Sequence, residues 1–297
     1  MVSPGILLVD KPAGLTSHDV VARTRRALGT RKVGHAGTLD PMATGLLVIG
    51  VEGATRLLTY IVGADKTYEA TIRLGQTTGT DDADGDILTR APESAWASVT
   101  PERVSAGVSA LTGAISQVPS SVSAIKVDGR RAYDRVRAGE EVVLAPRDVT
   151  VSRFDVIDRR MGDGFMDIDV VVDCSSGTYI RSLARDLGID LGVGGHLTAL
   201  RRTRVGDFDV ADAADIDDLA EAELLTPAAA AARVLDPLQV STADARDLRH
   251  GKRLAGQADR LSGSLAAAID EDGVLVGVVE KRGADLKSAM NMPEISR

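Results

Sequence analysis

The alternation of hydrophobic and polar positions along this chain predicts a series of short β-strands. Ile6–Val9 and Leu46–Val51 are continuous apolar runs typical of buried strands, and Tyr68–Leu74 alternates as a half-buried strand does. Val149–Asp158 and Met166–Asp173 flank the turn sequence MGDG and are predicted to pair with each other. The strands therefore account for much of the predicted regular structure.

Helices are predicted between some of these strands. Ser17 together with Asp19 can cap a helix that ends at Gly29, and residues Thr178–Leu191 are also predicted to be helical. Strands interrupted by helices, without regular β–α–β alternation, favour an α+β fold whose sheet is mostly antiparallel.

The composition of the chain changes near residue 207. The whole net charge of −8 arises after this point, and the acidic stretch 207–235 is predicted to be a connector with short helices. Residues 236–297 contain two apolar runs separated by a turn at 271–273, which is the pattern of a hairpin. We therefore predict a main domain over 1–206, a helical connector and a small β-rich C-terminal module.

The overall composition excludes several classes of protein. With 297 residues, 44% hydrophobic and 26% charged, the chain is globular rather than disordered. Its single cysteine, Cys174, allows no internal disulfide and suits a reducing compartment, and no metal-ligand spacing indicates a zinc site. The N-terminus lacks the features of a signal peptide, and no apolar run is long enough for a membrane helix. We therefore expect a cytoplasmic protein without a bound metal.

Basic residues are clustered despite the acidic total. Phosphate binding depends on local positive charge, so these clusters indicate a polyanionic partner, although each could also be an ordinary solvated surface. The clusters are Arg23, Arg25, Arg26, Arg31 and Lys32; Lys126, Arg130, Arg131, Arg135 and Arg137; and Arg201, Arg202 and Arg204.

The segment GHAGTLDPMATGLL holds a candidate catalytic carboxylate. Pro41 fixes its own φ and restricts Asp40 to extended conformations, so Asp40 lies on a stiff loop just before a predicted buried strand. The glycines of the segment do not match a phosphate-binding or dinucleotide-binding loop. From the pattern alone, Asp40 is either a catalytic group or an ordinary turn residue.

HAGTLDPMATGLL resembles the signature of the TruB-type tRNA pseudouridine synthases, which isomerise one uridine in the T-loop of tRNA. Other segments resemble further motifs of that family in the same order, over residues 5–206. They are DKPAGLTSHDVV at 10–21, DKTYEATIRLGQTTGTDDADG at 65–85, PSSVSAIKVDGRRAYDRVRAGE at 119–140, CSSGTYIRSLARDLG at 174–188 and GGHLTALRRTRVG at 194–206.

The resemblance implies a fold and a reaction. The fold would be the pseudouridine-synthase α+β domain, with a mostly antiparallel sheet and a central cleft, followed by a small PUA-like module. Asp40 would be the nucleophile of an isomerase that breaks the C1′–N1 bond of uridine and joins C1′ to C5. Attack at C1′, attack at C6 and a glycal route all remain open, and none of them needs a cofactor.

Two further residues would be catalytic by the same resemblance. Arg181 matches the arginine that pairs with the catalytic carboxylate, and its forked guanidinium suits a bidentate contact that lowers the pKa of an aspartate. Tyr68 matches a tyrosine that stacks on the target base. Taken singly, Arg181 could be a helix-surface residue and Tyr68 a core residue.

The resemblance also implies substrate contacts. His35 matches the residue that occupies the space vacated when the base is flipped out of the RNA, and Leu200 matches an apolar wall of the pocket. Tyr179 could line the pocket or pack, and Lys11 could be structural or support the active-site loop. The residues expected to contact the RNA backbone are Lys126, Arg130, Arg131, Arg201 and Arg202.

These matches imply a monomeric enzyme that acts on tRNA without an obligatory protein partner. One alternative is a non-catalytic RNA-binding protein on the same scaffold, and another is a synthase that depends on a guide-RNA complex. A third is an Asp-nucleophile glycosidase or phosphatase, which would require a second carboxylate or a metal site. Asp81, Asp82, Asp84 and Asp86 are candidates for that site, but the resemblance interprets them as a structural turn.

Overall fold

The computed structural model describes residues 2–120, 126–127, 130–131 and 144–293, with the backbone alone for 126–127 and 130–131. Its β-strands are β1 Gly5–Lys11, β2 Val33–Ala36, β3 Thr44–Val51, β4 Lys66–Leu74, β5 Gln76–Thr78, β6 Ile87–Arg90, β7 Gly113–Gln117, β8 Lys126–Val127, β9 Arg130–Arg131, β10 Arg147–Gly162, β11 Phe165–Cys174, β12 Gly195–Val205, β13 Phe208–Asp209, β14 Ala214–Asp215, β15 Asp236–Gln239, β16 Leu265–Ile269, β17 Leu275–Arg282 and β18 Asp285–Asn291.

The α-helices of these described residues are short. They are α1 Ser17–Ala27, α2 Leu58–Ile61, α3 Pro101–Ala110, α4 Ile180–Leu191, α5 Pro227–Ala232 and α6 Thr242–Arg249. Short 3₁₀ helices span Glu52–Leu57, Glu93–Ser98, Val210–Asp212 and Ala258–Arg260. No helix within the described part of the chain is long and apolar enough to cross a membrane.

The chain folds into two compact units. The first contains residues 1–41, 45–64 and 204–297, and the second contains residues 42–44 and 65–203. This division differs from the predicted parts, because the acidic stretch 207–235 is built into the first unit. Its strand β14 pairs in parallel with β1, and Phe208 and Ala230 are fully buried.

The first unit is organised around the antiparallel pair β1 and β3, which runs from Gly5 opposite Val51 to Lys11 opposite Gly45. One face of the pair, including Leu8 and Leu46, packs in the same core cluster as residues of β16 and α5. The other face packs against α1. Side chains alternate between the two faces of a strand, so both faces of this pair are buried.

The start of α1 differs by one residue from the prediction. Thr16, not Ser17, is the N-cap: its hydroxyl accepts from the Asp19 backbone N–H at 3.1 Å, and the Asp19 carboxylate accepts from the Thr16 N–H at 2.8 Å. This reciprocal arrangement is a capping box. Thr16 is the last residue with extended backbone angles, which is why it takes the cap position.

The second unit contains an antiparallel sheet in which β4, β11, β10 and β7 are neighbours in that order, and β12 lies on the other side of β4. The predicted pairing across MGDG is confirmed, and the strands extend to a two-residue turn at Asp163 and Gly164. Gly164 has a φ of +73°, a conformation that such a hairpin turn requires and that glycine adopts without strain. One face of β4 buries Tyr68, Ala70 and Ile72.

The C-terminal residues form a separate four-stranded sheet within the first unit. Strand β15 is parallel to β16, while β16, β17 and β18 are successive antiparallel neighbours. The predicted hairpin around 271–273 is the connection between β16 and β17. The expected α+β class, with a mostly antiparallel sheet and a small β-rich C-terminal part, is therefore confirmed.

Candidate active site

Asp40 lies on the loop between β2 and β3, and Lys11 holds the residue that follows it. The Lys11 ammonium donates to the carbonyls of Pro12 at 2.9 Å, Leu15 at 2.7 Å and Pro41 at 3.3 Å. Lys11 is 0% exposed. Its ammonium therefore holds the loop that carries Asp40 from inside the protein, and its role in a substrate site stays a prediction.

The residue that precedes Asp40 is held as well. The Ser17 hydroxyl accepts a hydrogen bond from the Leu39 N–H at 2.9 Å and donates to the Leu39 carbonyl at 3.2 Å. On the other side, the Gly14 N–H donates to the Pro41 carbonyl at 2.8 Å. The partly buried Asp40 is thus restrained through both of its neighbours, so its carboxylate has a preorganised direction.

His35 lies on β2, opposite Ile49 of β3. Its ring meets the ring of His18 edge-on, with centroids 5.5 Å apart and an interplanar angle of 80°. His18 is exposed at the start of α1, and His35 is partly buried. The two histidines are therefore neighbours in the first unit, and His35 lies on the strand that leads into the loop with Asp40.

Tyr68 belongs to the second unit, on the buried face of β4. It lies opposite Val172 of β11 and is 8% exposed. Two residues earlier on the same face, burial lowers the pKa of Lys66 to about 8, with a further contribution from the charge of Arg202. Burial raises the pKa of Cys174, the cross-strand neighbour of Lys66, to about 11, which keeps this thiol neutral.

Arg181 lies in the first turn of α4, also in the second unit. Its Nη1 donates to Asp82 Oδ2 at 3.1 Å and to the Thr80 carbonyl at 3.0 Å. The side chains of Arg181 and Asp82 are 5% and 4% exposed. Two charges buried in this way stabilise each other, because burying an unpaired ion costs several kcal/mol.

The pairing of Asp82 with Arg181 is not predicted by the sequence. Asp82 sits in the predicted turn, where its Oδ1 accepts from the Thr80 hydroxyl and from the Asp84 N–H, the latter at 3.1 Å. The spacing DDADG does not reveal which of its carboxylates points inward. Within the described residues no group of acidic, histidine or cysteine side chains is arranged to hold a metal ion, and the turn is braced by hydrogen bonds instead.

Tyr179 is the N-cap of α4 and makes no capping bond with its own side chain. Its backbone N–H donates to Gln117 Oε1 at 2.8 Å, and Gln117 Nε2 donates to its carbonyl at 3.0 Å. Tyr179 is partly buried. The start of the helix that carries Arg181 is therefore attached to the end of β7.

Leu200 and Arg201 line a groove of about 570 Å³ in the second unit, together with Thr44 and Glu69. Leu200 is largely buried, and Arg201 is partly buried with its Nη1 3.5 Å from Thr44 Oγ1. Arg202 is different: it is 1% exposed, and its contact with an RNA phosphate stays a prediction. Adjacent strand residues point to opposite faces, and only one of these two arginines can face outward.

The other expected backbone contacts are Lys126, Arg130 and Arg131. Their backbone forms a small antiparallel pair, in which Lys126 is opposite Arg131. Their side chains lie outside the described part of the structure. The first unit thus holds a restrained aspartate on a stiff loop, and the second unit holds a buried arginine with an aspartate partner and a buried tyrosine.

Comparison with protein-family models identifies the relationship of the whole chain. Residues 25–180 match the model of the N-terminal domain of the TruB family pseudouridylate synthases. Residues 181–241 match the C-terminal domain of tRNA pseudouridylate synthase B, and residues 235–293 match the C-terminal model of tRNA pseudouridine synthase II.

Curated relatives agree over almost the full length. The chain is 58% identical over 296 residues to a Leifsonia xyli protein named tRNA pseudouridine synthase B, covering 99% of this chain and 98% of that protein. It is 55% identical to the protein of the same name from Rhodococcus jostii, covering 98% and 94%.

Solved structures show the same fold. A chain from the crystal structure of a Cbf5-Nop10-Gar1 complex matches with a TM-score of 0.71 and 25% identity, covering 98% of this chain and 84% of the other. A chain from a structure of an H/ACA RNP bound to a substrate RNA matches with the same TM-score at 23% identity, covering 98% and 85%. The motifs, the family models and the full-length relatives agree: this chain belongs to the TruB family of pseudouridylate synthases.

Proposed function

We propose that this protein is a tRNA pseudouridine synthase, an isomerase that converts one uridine of tRNA into pseudouridine. The observation that carries the proposal is the 58% identity, over nearly the whole of both chains, to a protein named tRNA pseudouridine synthase B. The target is the uridine at position 55 in the T-loop, which the family's motifs imply. Asp40, Tyr68 and Arg181, the residues that match the family's catalytic positions, are all present.

The reaction moves the bond between ribose and base. The C1′–N1 bond breaks, the detached uracil turns within the site, and C1′ joins C5. C5 then loses its hydrogen as a proton and N1 gains one, so no electrons are gained or lost and no cofactor is consumed. Asp40 is the nucleophile that divides this exchange into easier steps.

The surroundings of Asp40 support this role. The bonds from Ser17 to Leu39 and from Lys11 to Pro41 hold both of its neighbours, which restricts the directions that its carboxylate can take. Restricting a reacting group in this way lowers the entropy that is lost when the transition state forms. Arg181 supplies the positive charge that keeps such a carboxylate ionised, and its guanidinium is permanently charged.

The target base must leave the folded T-loop to reach these groups, at a cost of a few kcal/mol. His35 fills the space that the base vacates, and its edge-on contact with His18 supports the ring in that role. Tyr68 stacks on the flipped base, and Leu200 and Tyr179 line its pocket. Stacking on an aromatic ring contributes about 1–3 kcal/mol per base.

The remaining contacts are with the RNA backbone. Arg201 and the segment that contains Lys126, Arg130 and Arg131 bind phosphates, and recognition depends mainly on the shape of the folded tRNA. The enzyme acts as a monomer in the cytoplasm without an obligatory protein partner. This last point separates it from synthases that work inside guide-RNA complexes.

The test is the release of tritium from a tRNA transcript labelled with [5-³H]uridine, using purified protein alone. Forming the C1′–C5 bond expels the C5 hydrogen, so the signal reports this reaction directly. We expect release by the wild type and none by Asp40→Asn, which keeps the size of the side chain and retains tRNA affinity within about tenfold. Tight tRNA binding without release by the wild type would contradict the proposal and favour a binding protein.

A further inference from the structure

Gln117 is a buried amide next to the helix that carries Arg181. It is the last residue of β7, where it pairs with Arg147 of β10, and it is 2% exposed. Its side chain points away from this ladder and makes two hydrogen bonds with one residue, the N–H and the carbonyl of Tyr179. A buried amide whose donor and acceptor are both used on the backbone of one residue fixes that residue in position and orientation.

The start of α4 has no side-chain cap of its own. Ser, Thr, Asp or Asn at the N-cap normally accepts from one of the first N–H groups of a helix. The N-cap of α4 is Tyr179, whose side chain makes no capping bond. Gln117 does not replace that cap, because it accepts from the N–H of Tyr179 itself; it holds the backbone of the N-cap residue from another strand, 62 positions away in the chain.

Neighbouring residues attach the same helix turn to the same strand end. The Ser182 hydroxyl donates to the Val118 carbonyl at 3.0 Å, and Arg185 Nη2 donates to that carbonyl at 2.7 Å. These two contacts hold the side of α4, whereas Gln117 holds the backbone of its N-cap, Tyr179. Arg181 therefore lies between two attachments to the same strand end.

The direction of Arg181 depends on this attachment. Arg181 follows Tyr179 by two residues within a continuous helical turn, and its Nη1 reaches Asp82 from the helix side. A rotation of the first turn would move the guanidinium relative to Asp82 and Thr80. Displacements of about 1 Å at a reacting group can lower a rate by about 100-fold.

We propose that Gln117 is a positioning residue of this enzyme, which sets the place of Tyr179 and Arg181 by holding the backbone of Tyr179, the N-cap of α4. The inference rests on the proposed function, since its effect is on pseudouridine formation. Gln117 itself contacts no substrate. Its loss lowers the rate of the reaction step and leaves tRNA affinity nearly unchanged.

The main test compares Gln117→Met with the wild type. Methionine has a similar length but neither donates nor accepts here, so both bonds to Tyr179 are lost while the volume is kept. The matched control is Ser152→Ala, which removes a hydrogen bond from the Ser152 hydroxyl to the Asp173 carbonyl elsewhere in the same sheet. We expect the single-turnover rate of tritium release to fall at least about tenfold in Gln117→Met, with tRNA affinity within threefold, while Ser152→Ala stays within twofold of the wild type.

Gln117→Glu provides a second readout. A protonated carboxyl can accept from the Tyr179 N–H and donate to its carbonyl, whereas an ionised carboxylate cannot donate. We therefore expect the rate of Gln117→Glu, relative to the wild type, to rise as the pH falls through the pKa of the introduced carboxyl. Circular dichroism confirms that the samples compared are folded, and Gln117→Glu alone carries the test if Gln117→Met does not fold.

Three results would overturn the inference. The first is a rate for Gln117→Met equal to that of Ser152→Ala, and the second is a loss explained entirely by weaker tRNA binding. The third is a pH profile of Gln117→Glu parallel to that of the wild type. The two proposals fail in different ways. If the wild type itself releases no tritium, the proposed function is contradicted, whereas the role of Gln117 is tested only by the comparison of variants with an active wild type.

Discussion

Arg181 and Asp82 form a buried ion pair, with Arg181 Nη1 3.1 Å from Asp82 Oδ2. The two residues are 99 positions apart in the chain, and the same guanidinium nitrogen also donates to the Thr80 carbonyl. This pair connects the turn after β5 to the start of α4. It defines where the charge of Arg181 lies before any substrate is bound.

We predict that Asp82→Asn destabilises the protein by about 3 kcal/mol and lowers the rate of tritium release at least tenfold. Removing one partner of a buried pair leaves the other charge uncompensated, which typically costs 3–5 kcal/mol. Asparagine keeps an oxygen that can accept from Thr80 and Asp84, but it removes the charge and turns an amide donor toward Arg181 where Oδ2 accepted. Urea denaturation measures the stability, and the exposed Asp84→Asn is the control in the same turn. Equal stability of Asp82→Asn and the wild type would contradict the importance of the pair.

Arg181→Lys should lose most of the activity although the charge is kept. A guanidinium presents several donors in a fixed plane, whereas an ammonium is a single point charge on a flexible stem. A lysine at this position therefore cannot bond Thr80 and Asp82 and at the same time donate to a further group. We expect the single-turnover rate to fall by about 100-fold with tRNA affinity within tenfold. Arg103→Lys, on the exposed side of α3, should behave as the wild type, and unimpaired kinetics of Arg181→Lys would refute the prediction.

Lys11→Met should weaken the loop that carries Asp40. The substitution keeps much of the side-chain volume but removes the donor from the carbonyls of Pro12, Leu15 and Pro41. Hydrogen bonds to a charged group contribute about 1.5–3 kcal/mol, so we expect a loss of several kcal/mol in the free energy of unfolding. Urea denaturation and tritium release are the measurements.

The control for this change is Lys32→Met, which alters a surface lysine with an ion pair of 3.6 Å to Glu52. Surface pairs of this kind contribute about 0–1 kcal/mol. A loss in Lys11→Met no larger than that in Lys32→Met would show that Lys11 does not support the loop.

Lys66 gives a prediction about pH. Burial lowers the pKa of Lys66 from 10.5 to about 8, so between these values the unfolded chain binds a proton that the folded protein does not. Stability then rises with pH in this window, and the cost of burying the charge is fully present below pH 8. Lys66→Met removes that cost.

We therefore expect Lys66→Met to be more stable relative to the wild type at pH 7 than at pH 10, by about 2 kcal/mol. Urea denaturation of both proteins at the two pH values measures the difference. Comparing the two proteins at each pH cancels the groups that titrate in both and do not interact with Lys66. A constant difference between Lys66→Met and the wild type at the two pH values would contradict the lowered pKa.

Much of the local structure was predictable because it depends on near neighbours in the chain. Strand alternation located β4, β10 and β11, and the Asp-Gly turns located the hairpins. The cap of α1 was misplaced by one residue, since Thr16 and Ser17 are both good caps and only the fold assigns Ser17 to Leu39. The charge of the stretch 207–235 predicts a connector. In the structure this stretch belongs to the first unit, where it buries residues such as Phe208 and Ala230.

For the candidate site, too, some features follow from the sequence and others only from the tertiary structure. By itself the sequence determined the identity of the candidate groups and the stiffness of the Asp40–Pro41 loop, because residue type and a neighbouring proline act over one or two positions. Only the tertiary structure determined that Asp82 faces Arg181, that Gln117 clamps Tyr179 and that Arg202 is buried. These relationships join residues that are 62 and 99 positions apart, or depend on which face of a strand is covered. Such contacts follow from how the strands and helices pack, and packing is a property of the folded chain as a whole.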